Sequence, residues 1–402
     1  MQAVWRHLKQ HAAAWLCAVV FAAALAAAWG TGQQLKYSDE EVYVQLAHRL
    51  AQGQGYVGED LQPTASRPPG YPFAISLVFR LHESVRAAKV LNAVALGATA
   101  WLLVLIVNSM APAGRAFVPL LILAYPLFLY TGSLLYPQTL GSLGFVAAIY
   151  LVLRFPASRA AGLAAGAIAG ALVLAIPAFA LVFAALFALL VLRHLAGRAT
   201  SRGFLVAFAL AALLAAGPWV VRSSRTFGRF VFISTNSGIN LLYGNSANAR
   251  YNTGVVDLAE EHLPPEGLDE AELDRHFSRC AKEWIRRNPG AAAKLYALKT
   301  ANYFHFNNKL STSAEESFLK DLVLAATYYP LLLAGIVRLL LWRRYRLAWP
   351  ETLMYLLYFG NAFLAAVVYT RIRYRVPFDY LLVALVATFI GRLRARASAE
   401  GT

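Results

Sequence analysis

Long apolar runs alternate with short polar intervals along most of this 402-residue chain. An apolar run of roughly 20 residues is long enough to span a bilayer as a helix, and by that rule the chain holds about ten. They lie near residues 12–30, 86–108, 117–135, 139–154, 161–177, 178–195, 203–221, 321–341, 350–369 and 376–391. The division at Pro177 stays open, because residues 160–195 have no polar break and form either a kinked pair or a differently divided segment. Two polar intervals are much longer than the rest, residues 31–85 and 222–320, and both carry helical periodicity of their own. The pattern predicts an all-α, polytopic membrane protein of about ten transmembrane helices. It is read as one domain over residues 1–402, with two long loops that hold amphipathic interfacial helices and with residues 321–402 as its C-terminal transmembrane helices.

Composition agrees with that class: 59% of residues are hydrophobic, 14% are charged, and the mean hydropathy is +0.51. The formal net charge of +16 does not point to nucleic acid, because the basic residues fall in short clusters between apolar runs. Arg6 with Lys9, Arg115, Arg154 with Arg159, Arg193 with Arg198 and Arg202, Arg343 with Arg344 and Arg346, and Arg392 with Arg394 and Arg396 occupy every second loop. These loops and both chain ends are expected in the cytoplasm, which turns the two long loops outward. The first apolar run is too long for a signal-peptide core and is expected to stay as a span. Arg371, Arg373 and Arg375 break the alternation, since they fall on the outward side. They form either a snorkelling girdle at the interface or a docking site for an anionic lipid headgroup.

The first long loop opens with Tyr37, Ser38, Asp39, Glu40, Glu41 and then Tyr43. Ser38 with Glu41 three residues on forms a capping box, so a helix is expected from about Asp39 with three carboxylates in its first turn. Val42, Leu46 and Leu50 recur at helical spacing against Gln45 and Arg49, which suits a helix lying on a membrane surface. The acids either complement the helix dipole or supply chemistry. The loop ends at Arg67, Pro68, Pro69, Gly70 and Tyr71. In the second long loop, residues 228–245 are rich in Asn, Ser and Gly and read as turns, Asp269–Arg287 reads as a helix stopped by Asn288-Pro289-Gly290, and residues 291–306 read as a further amphipathic run. The same order is that of an ordinary folded loop.

Asp39-Glu40 followed by Tyr43, an Arg before Pro-Pro some two dozen residues later, and Arg-Tyr-Arg-Val-Pro at residues 373–377 resemble the C-type glycosyltransferases that use polyprenyl-phosphate sugars. Protein O-mannosyltransferases and the aminoarabinose transferase of lipid A belong to that group. The resemblance implies a sugar transfer on the outer face of a bacterial plasma membrane, from a polyprenyl-phosphate donor to a hydroxyl of a lipid, glycan or protein acceptor. It implies Asp39 as the base, Glu40 as its orienting partner, and Tyr43, Arg67, Tyr71, Arg371, Arg373 and Arg375 as the donor-phosphate residues. Guanidinium groups then stand in for a metal ion, so no cofactor is expected. The chain departs from the pattern where an acid commonly follows the third span (Pro137-Gln138 here), where Arg-Pro is common (Ile176-Pro177), and where a basic residue commonly follows Asp-Glu (Val42). These departures bear on the acceptor and the sugar.

No phosphate-binding Gly-rich loop, Ser-His-Asp set, His-Glu-x-x-His or cysteine pair is present, and Cys17 and Cys280 are far apart. Glu351, Asp379 and Asp321 fall near span ends, where snorkelling explains them, so a proton-coupled carrier is not indicated. A transporter or flippase of lipid-linked glycans is the alternative from another class, and a non-catalytic envelope scaffold a third.

Overall fold

The structure is a computed structural model that describes residues 2–307 and 317–400. Residues 308–316 of the second long loop, and the last two positions of the C-terminal helices, lie outside the described residues. Among those described, regular structure is helical, with a single β-bridge between Val57 and Pro63. Helix α1 (Gln2–Gly30) leads into the first long loop, which holds α2 (Ser38–Ala51) and α3 (Gly70–Leu81). Then come α4 (Val85–Met110), α5 (Phe117–Leu123), α6 (Leu127–Gly132), α7 (Pro137–Arg154), α8 (Arg159–Ala175), α9 (Phe179–Leu195) and α10 (Arg202–Thr226). The second long loop holds α11 (Ser237–Gly244), α12 (Glu270–Arg287) and α13 (Pro289–Asn302), and α14 (Phe318–Leu340), α15 (Trp349–Ala366) and α16 (Ile372–Glu400) close the chain. This is a multi-pass, all-α membrane protein. Among the described residues, five helices are long and apolar enough to cross a membrane: His11–Gly30, Val85–Met110, Arg202–Thr226, Phe318–Arg343 and Ile372–Glu400. The other expected spans are present as shorter helices.

Prolines set the main differences from the expected spans. The run at 117–135 is broken into α5 and α6 at Tyr125-Pro126, because proline lacks the N–H that would continue the ladder. Residues 160–195 divide into two helices around Pro177, with Ile176 extended (φ −141°, ψ 92°) as a pre-proline residue prefers to be. Residues 237–244, expected as turns, form α11. The turn-forming composition is overridden there by packing: Gly238 lies against the α12 backbone, where the Asp274 side chain also accepts its N–H, and Gly244 lies against the carbonyl of Val368.

Helix α16 is the centre of the bundle. Its residues from Arg375 to Phe389 are buried, and it packs against α4, α5, α7, α14 and α15. Gly162, Gly166 and Gly170 of α8 each face backbone of α10 at Phe204, Phe208 and Ala212, so these two helices pack with almost no side chain between them.

The two long loops lie at the same end of the bundle and are bolted together. Arg222, at the end of α10, donates to the carbonyls of Thr64 (2.7 Å) and Tyr56 (2.9 Å) while its guanidinium lies over the Trp219 ring. Glu270, at the start of α12, accepts from the Thr64 hydroxyl (2.5 Å), the Ala65 N–H (2.9 Å) and the Thr235 hydroxyl (3.0 Å). Basic clusters gather at the opposite end, where the fully buried Glu351 takes ion pairs from Arg338 (2.8 Å) and Arg392 (2.7 Å). Snorkelling therefore does not describe Glu351: its carboxylate is enclosed and paired.

Candidate functional site

Helix α2 begins at Ser38, one residue earlier than the sequence reading, and the reciprocal carboxylate is Glu40, not Glu41. Glu40 is fully buried; its Oε2 accepts from the N–H groups of Lys36 (2.8 Å) and Tyr37 (3.1 Å), and its Oε1 from that of Leu135 (2.7 Å). Glu40, expected to orient Asp39, bonds to backbone instead. Three backbone donors occupy its carboxylate, and it fastens the turn before α2 to the turn before α7. Glu41 points to solvent. The three adjacent acids thus have three environments, and only Asp39 meets Arg67 and Arg373.

Asp39 is three-quarters buried at the rim and gathers three donors from three distant parts of the chain. Its Oδ1 accepts from Arg67 Nη2 at 2.9 Å, and its Oδ2 from Arg373 Nη1 at 3.0 Å and from the Tyr136 hydroxyl at 3.2 Å. The side chains of Asp39, Arg67 and Arg373 are 25%, 28% and 36% exposed, so all three remain within reach of a ligand. Burial raises the Asp39 pKa, but Arg373 and then Arg67 outweigh it and hold the carboxyl below its ordinary range. Burial first, and Asp39 second, push the Tyr136 phenol well up, so it stays a donor. Tyr43 forms the floor beside them: it is buried, edge-on to Tyr136 and Tyr71, and burial pushes its hydroxyl up to about 12.

The positions of the two arginines follow from local structure. Arg67 is held by its own carbonyl, which accepts from the Tyr56 hydroxyl (2.8 Å), and by Pro68-Pro69, which cannot join a helix until Gly70. Gly70 is required because a Cβ there would meet the backbone of Leu174 and Ala175 at the end of α8. Arg373 lies in the first turn of α16, stacked over the rings of Tyr136 and Tyr374. Arg371, just before the helix, lies across Gly254 and has no carboxylate partner among the described residues. Burial and then the adjacent Arg373 lower its pKa.

Two other expected donor-phosphate residues are elsewhere. Tyr71 is buried with its hydroxyl accepting from Asn92 Nδ2 (3.1 Å), so it is core and not rim. Arg375 is 1% exposed inside the bundle, where it pairs with Asp379 (3.2 Å), donates to the carbonyls of Tyr303 (2.9 Å) and His305 (2.7 Å), and lies 3.6 Å from the Tyr328 ring centroid. Two residues on from Arg373, about half a turn of the helix, the side chain points inward, and its guanidinium also donates to the Tyr125 hydroxyl. Asp379, fully buried, is likewise not a snorkelling residue.

Sequence reasoning missed Tyr136. Its signal was an aromatic residue directly before Pro137; the polar residue after that proline, Gln138, is buried within α7. Among the described residues no group of three or more His, Cys, Asp or Glu side chains gathers, so the charged partners at this rim are guanidinium groups.

No family profile matches the sequence, and no curated protein does. Solved structures do. The crystal structure of ArnT from Cupriavidus metallidurans bound to undecaprenyl phosphate aligns with a TM-score of 0.50 and 13% identity over 92% of this chain and 59% of that one. A structure of the same ArnT in the apo state aligns with a TM-score of 0.45 and 14% identity over 95% of this chain and 77% of that one. The fold of this chain is therefore similar to that of ArnT. The aligned part of this chain covers 59% of the lipid-bound ArnT chain.

Proposed function

We propose that this protein transfers a sugar from a polyprenyl-phosphate carrier to an acceptor hydroxyl at the outward face of the membrane. The observation that carries the reading is the rim cluster: one carboxylate and three cationic side chains, Arg67, Arg371 and Arg373, assembled from loops far apart in sequence at one end of a C-type fold. That the similar ArnT was crystallised with undecaprenyl phosphate supports this class of donor. The outward placement rests on the basic loops at the opposite end.

In the reaction Asp39 takes the proton of the acceptor hydroxyl as that oxygen bonds to the anomeric carbon. The bond from the anomeric carbon to the phosphate oxygen breaks, and its electron pair leaves with the polyprenyl phosphate. One displacement inverts the anomeric configuration. Arg67, Arg371 and Arg373 stabilise the negative charge that grows on the leaving phosphate, and guanidinium forks suit phosphate geometry. Tyr136 orients the carboxylate, and Tyr43 closes the site from below. The test is transfer by the purified protein in nanodiscs, with polyprenyl-phosphate sugars as donors and envelope glycolipids as acceptors. Sugar transfer that disappears in Asp39→Asn supports the reading. Flipping of the lipid-linked sugar without transfer, unaffected by Asp39→Asn, would move the protein to the transporter class.

A further inference from the structure

The base of this reaction is bound by the same two arginines that are to hold the leaving phosphate. Asp39 has both oxygens occupied, by Arg67, Arg373 and the Tyr136 hydroxyl. A carboxylate so neutralised is a weak proton acceptor, since each cation nearby favours its ionised form. Arg371 is the exception at the rim: partly enclosed, next to Arg373, lying across Gly254 and without a carboxylate of its own among the described residues. Three arginines, Arg67, Arg371 and Arg373, stand against one acid, so the rim carries an excess of positive charge. A guanidinium taken out of water without a counterion is unfavourable, and an incoming anion would find it first.

We infer that the donor phosphate itself releases the base: it docks on Arg371, then competes with Asp39 for Arg373 and Arg67, and so makes Asp39 a proton acceptor only when donor is bound. This rests on the function proposed above. Released from two cations and placed beside a phosphate anion, the carboxylate becomes more basic by the same electrostatics that held it down. Before donor binds, Asp39 keeps the arginines ordered and hydrated acceptors meet an unreactive carboxylate. No new residue is needed, because Asp39 is both the counterion of the empty site and the base of the filled one.

Competition has a signature that does not require turnover. Removing the competing charge should tighten phosphate binding even as it abolishes transfer. Undecaprenyl phosphate binding to the purified protein in detergent is measured for the native chain, Asp39→Asn, Arg371→Ala and the double variant. Asp39→Asn should bind roughly tenfold more tightly, the scale of one charge-assisted contact, and Arg371→Ala roughly tenfold more weakly in both backgrounds. Equal or weaker binding by a folded Asp39→Asn overturns the inference and leaves the donor reading in place. No binding by any of the four proteins overturns the donor reading, and this inference with it.

Should Asp39→Asn not fold, the native protein gives the answer through pH. The methyl diester of farnesyl phosphate carries one charge that does not titrate. The groups that interact with Asp39 are Arg67, Arg373, Tyr43 and Tyr136, with Arg371 and Tyr374 beside Arg373, types that keep their protons between pH 4.5 and about 7.5. Because Asp39 would have a higher pKa in the complex than in the free protein, binding takes up a proton and is favoured at low pH. Affinity for the diester should rise about threefold or more from pH 7.5 to 4.5. A flat profile overturns the inference.

Discussion

Arg373 and Arg375 are two residues apart on one helix, each paired with an aspartate and stacked on tyrosine, yet they belong to different kinds of region. The Arg373 pair lies at the rim with 36% and 25% of its side chains exposed, and each partner has other charged neighbours with which to exchange. The Arg375 pair has 1% and 0% exposed, and its guanidinium donates to Asp379, two backbone carbonyls and the Tyr125 hydroxyl, all inside the bundle. Two ion pairs of the same composition therefore differ in what they can do. The first can trade its partner for a ligand, and the second holds α16 to the end of α13. The difference is one of solvent access and saturation, not of residue type.

The sharpest way to break this contrast is at the carboxylate of the rim. Asp39→Asn should lower sugar transfer by about a hundred- to ten-thousand-fold, the range of general-base contributions, with the protein still monodisperse and its thermal unfolding within a few degrees of the native chain. Native turnover in that variant would leave the rim as a structural feature like the interior. Next, Arg375→Ala strands Asp379 in the bundle, and losing one partner of a buried pair is worth about 3–5 kcal/mol. Detergent thermal unfolding should show a large loss of folded protein; a stable, active Arg375→Ala would show the interior pair to be dispensable.

Arg373→Ala and Arg67→Ala should each reduce turnover about tenfold or more, from a contact of about 1.5–3 kcal/mol, while folded protein persists. Lys in either place should restore only part, because the planar fork is lost. The pH dependence separates the free site from the filled one. Asp39 must be ionised to act, and its pKa is held below the ordinary carboxylate range in the free protein, so kcat/KM for the donor, which reports the free protein, should hold as pH falls to about 4 and fail only below it. A kcat/KM that halves near pH 6 would take Asp39 out of the base role. The smallest effect is expected at Glu41, which faces solvent: Glu41→Gln should leave both transfer and stability within about 0.5 kcal/mol of native.

The apolar spacing placed most bundle helices to within a few residues, because twenty apolar positions in a row have few other fates; α1 and α16 extend well beyond the expected spans, and 117–135 is broken in two. The motifs that carry Asp39, Arg67 and Arg373 were legible as well, and the structure brings these three side chains together. What failed was direction. Glu40 beside Asp39, and Arg375 beside Arg373, look alike in sequence, and only a helix register one residue earlier and the central place of α16 turn them away from the rim. Tyr71 misled for the same reason: a tyrosine next to Pro-Pro-Gly is as good a core residue as a ligand. Tyr136 was missed because its partner lies 97 positions away, and no local pattern reports such a contact. The loop bolts made by Arg222 and Glu270 were invisible for that reason too.

Helix α16 carries enclosed ion pairs near both ends, Arg375 with Asp379 at one and Arg392 with Glu351 at the other. Between Arg375 and Arg392 the helix rises about 26 Å at 1.5 Å per residue, close to the roughly 30 Å of a bilayer's hydrocarbon core. The innermost helix is therefore a ruler of fixed length. Because neither end can slide without uncovering a charge, a bilayer of another thickness has to adapt at the perimeter, by tilt of the peripheral helices or by local thinning of lipid, and the distance from the rim to the opposite face stays constant.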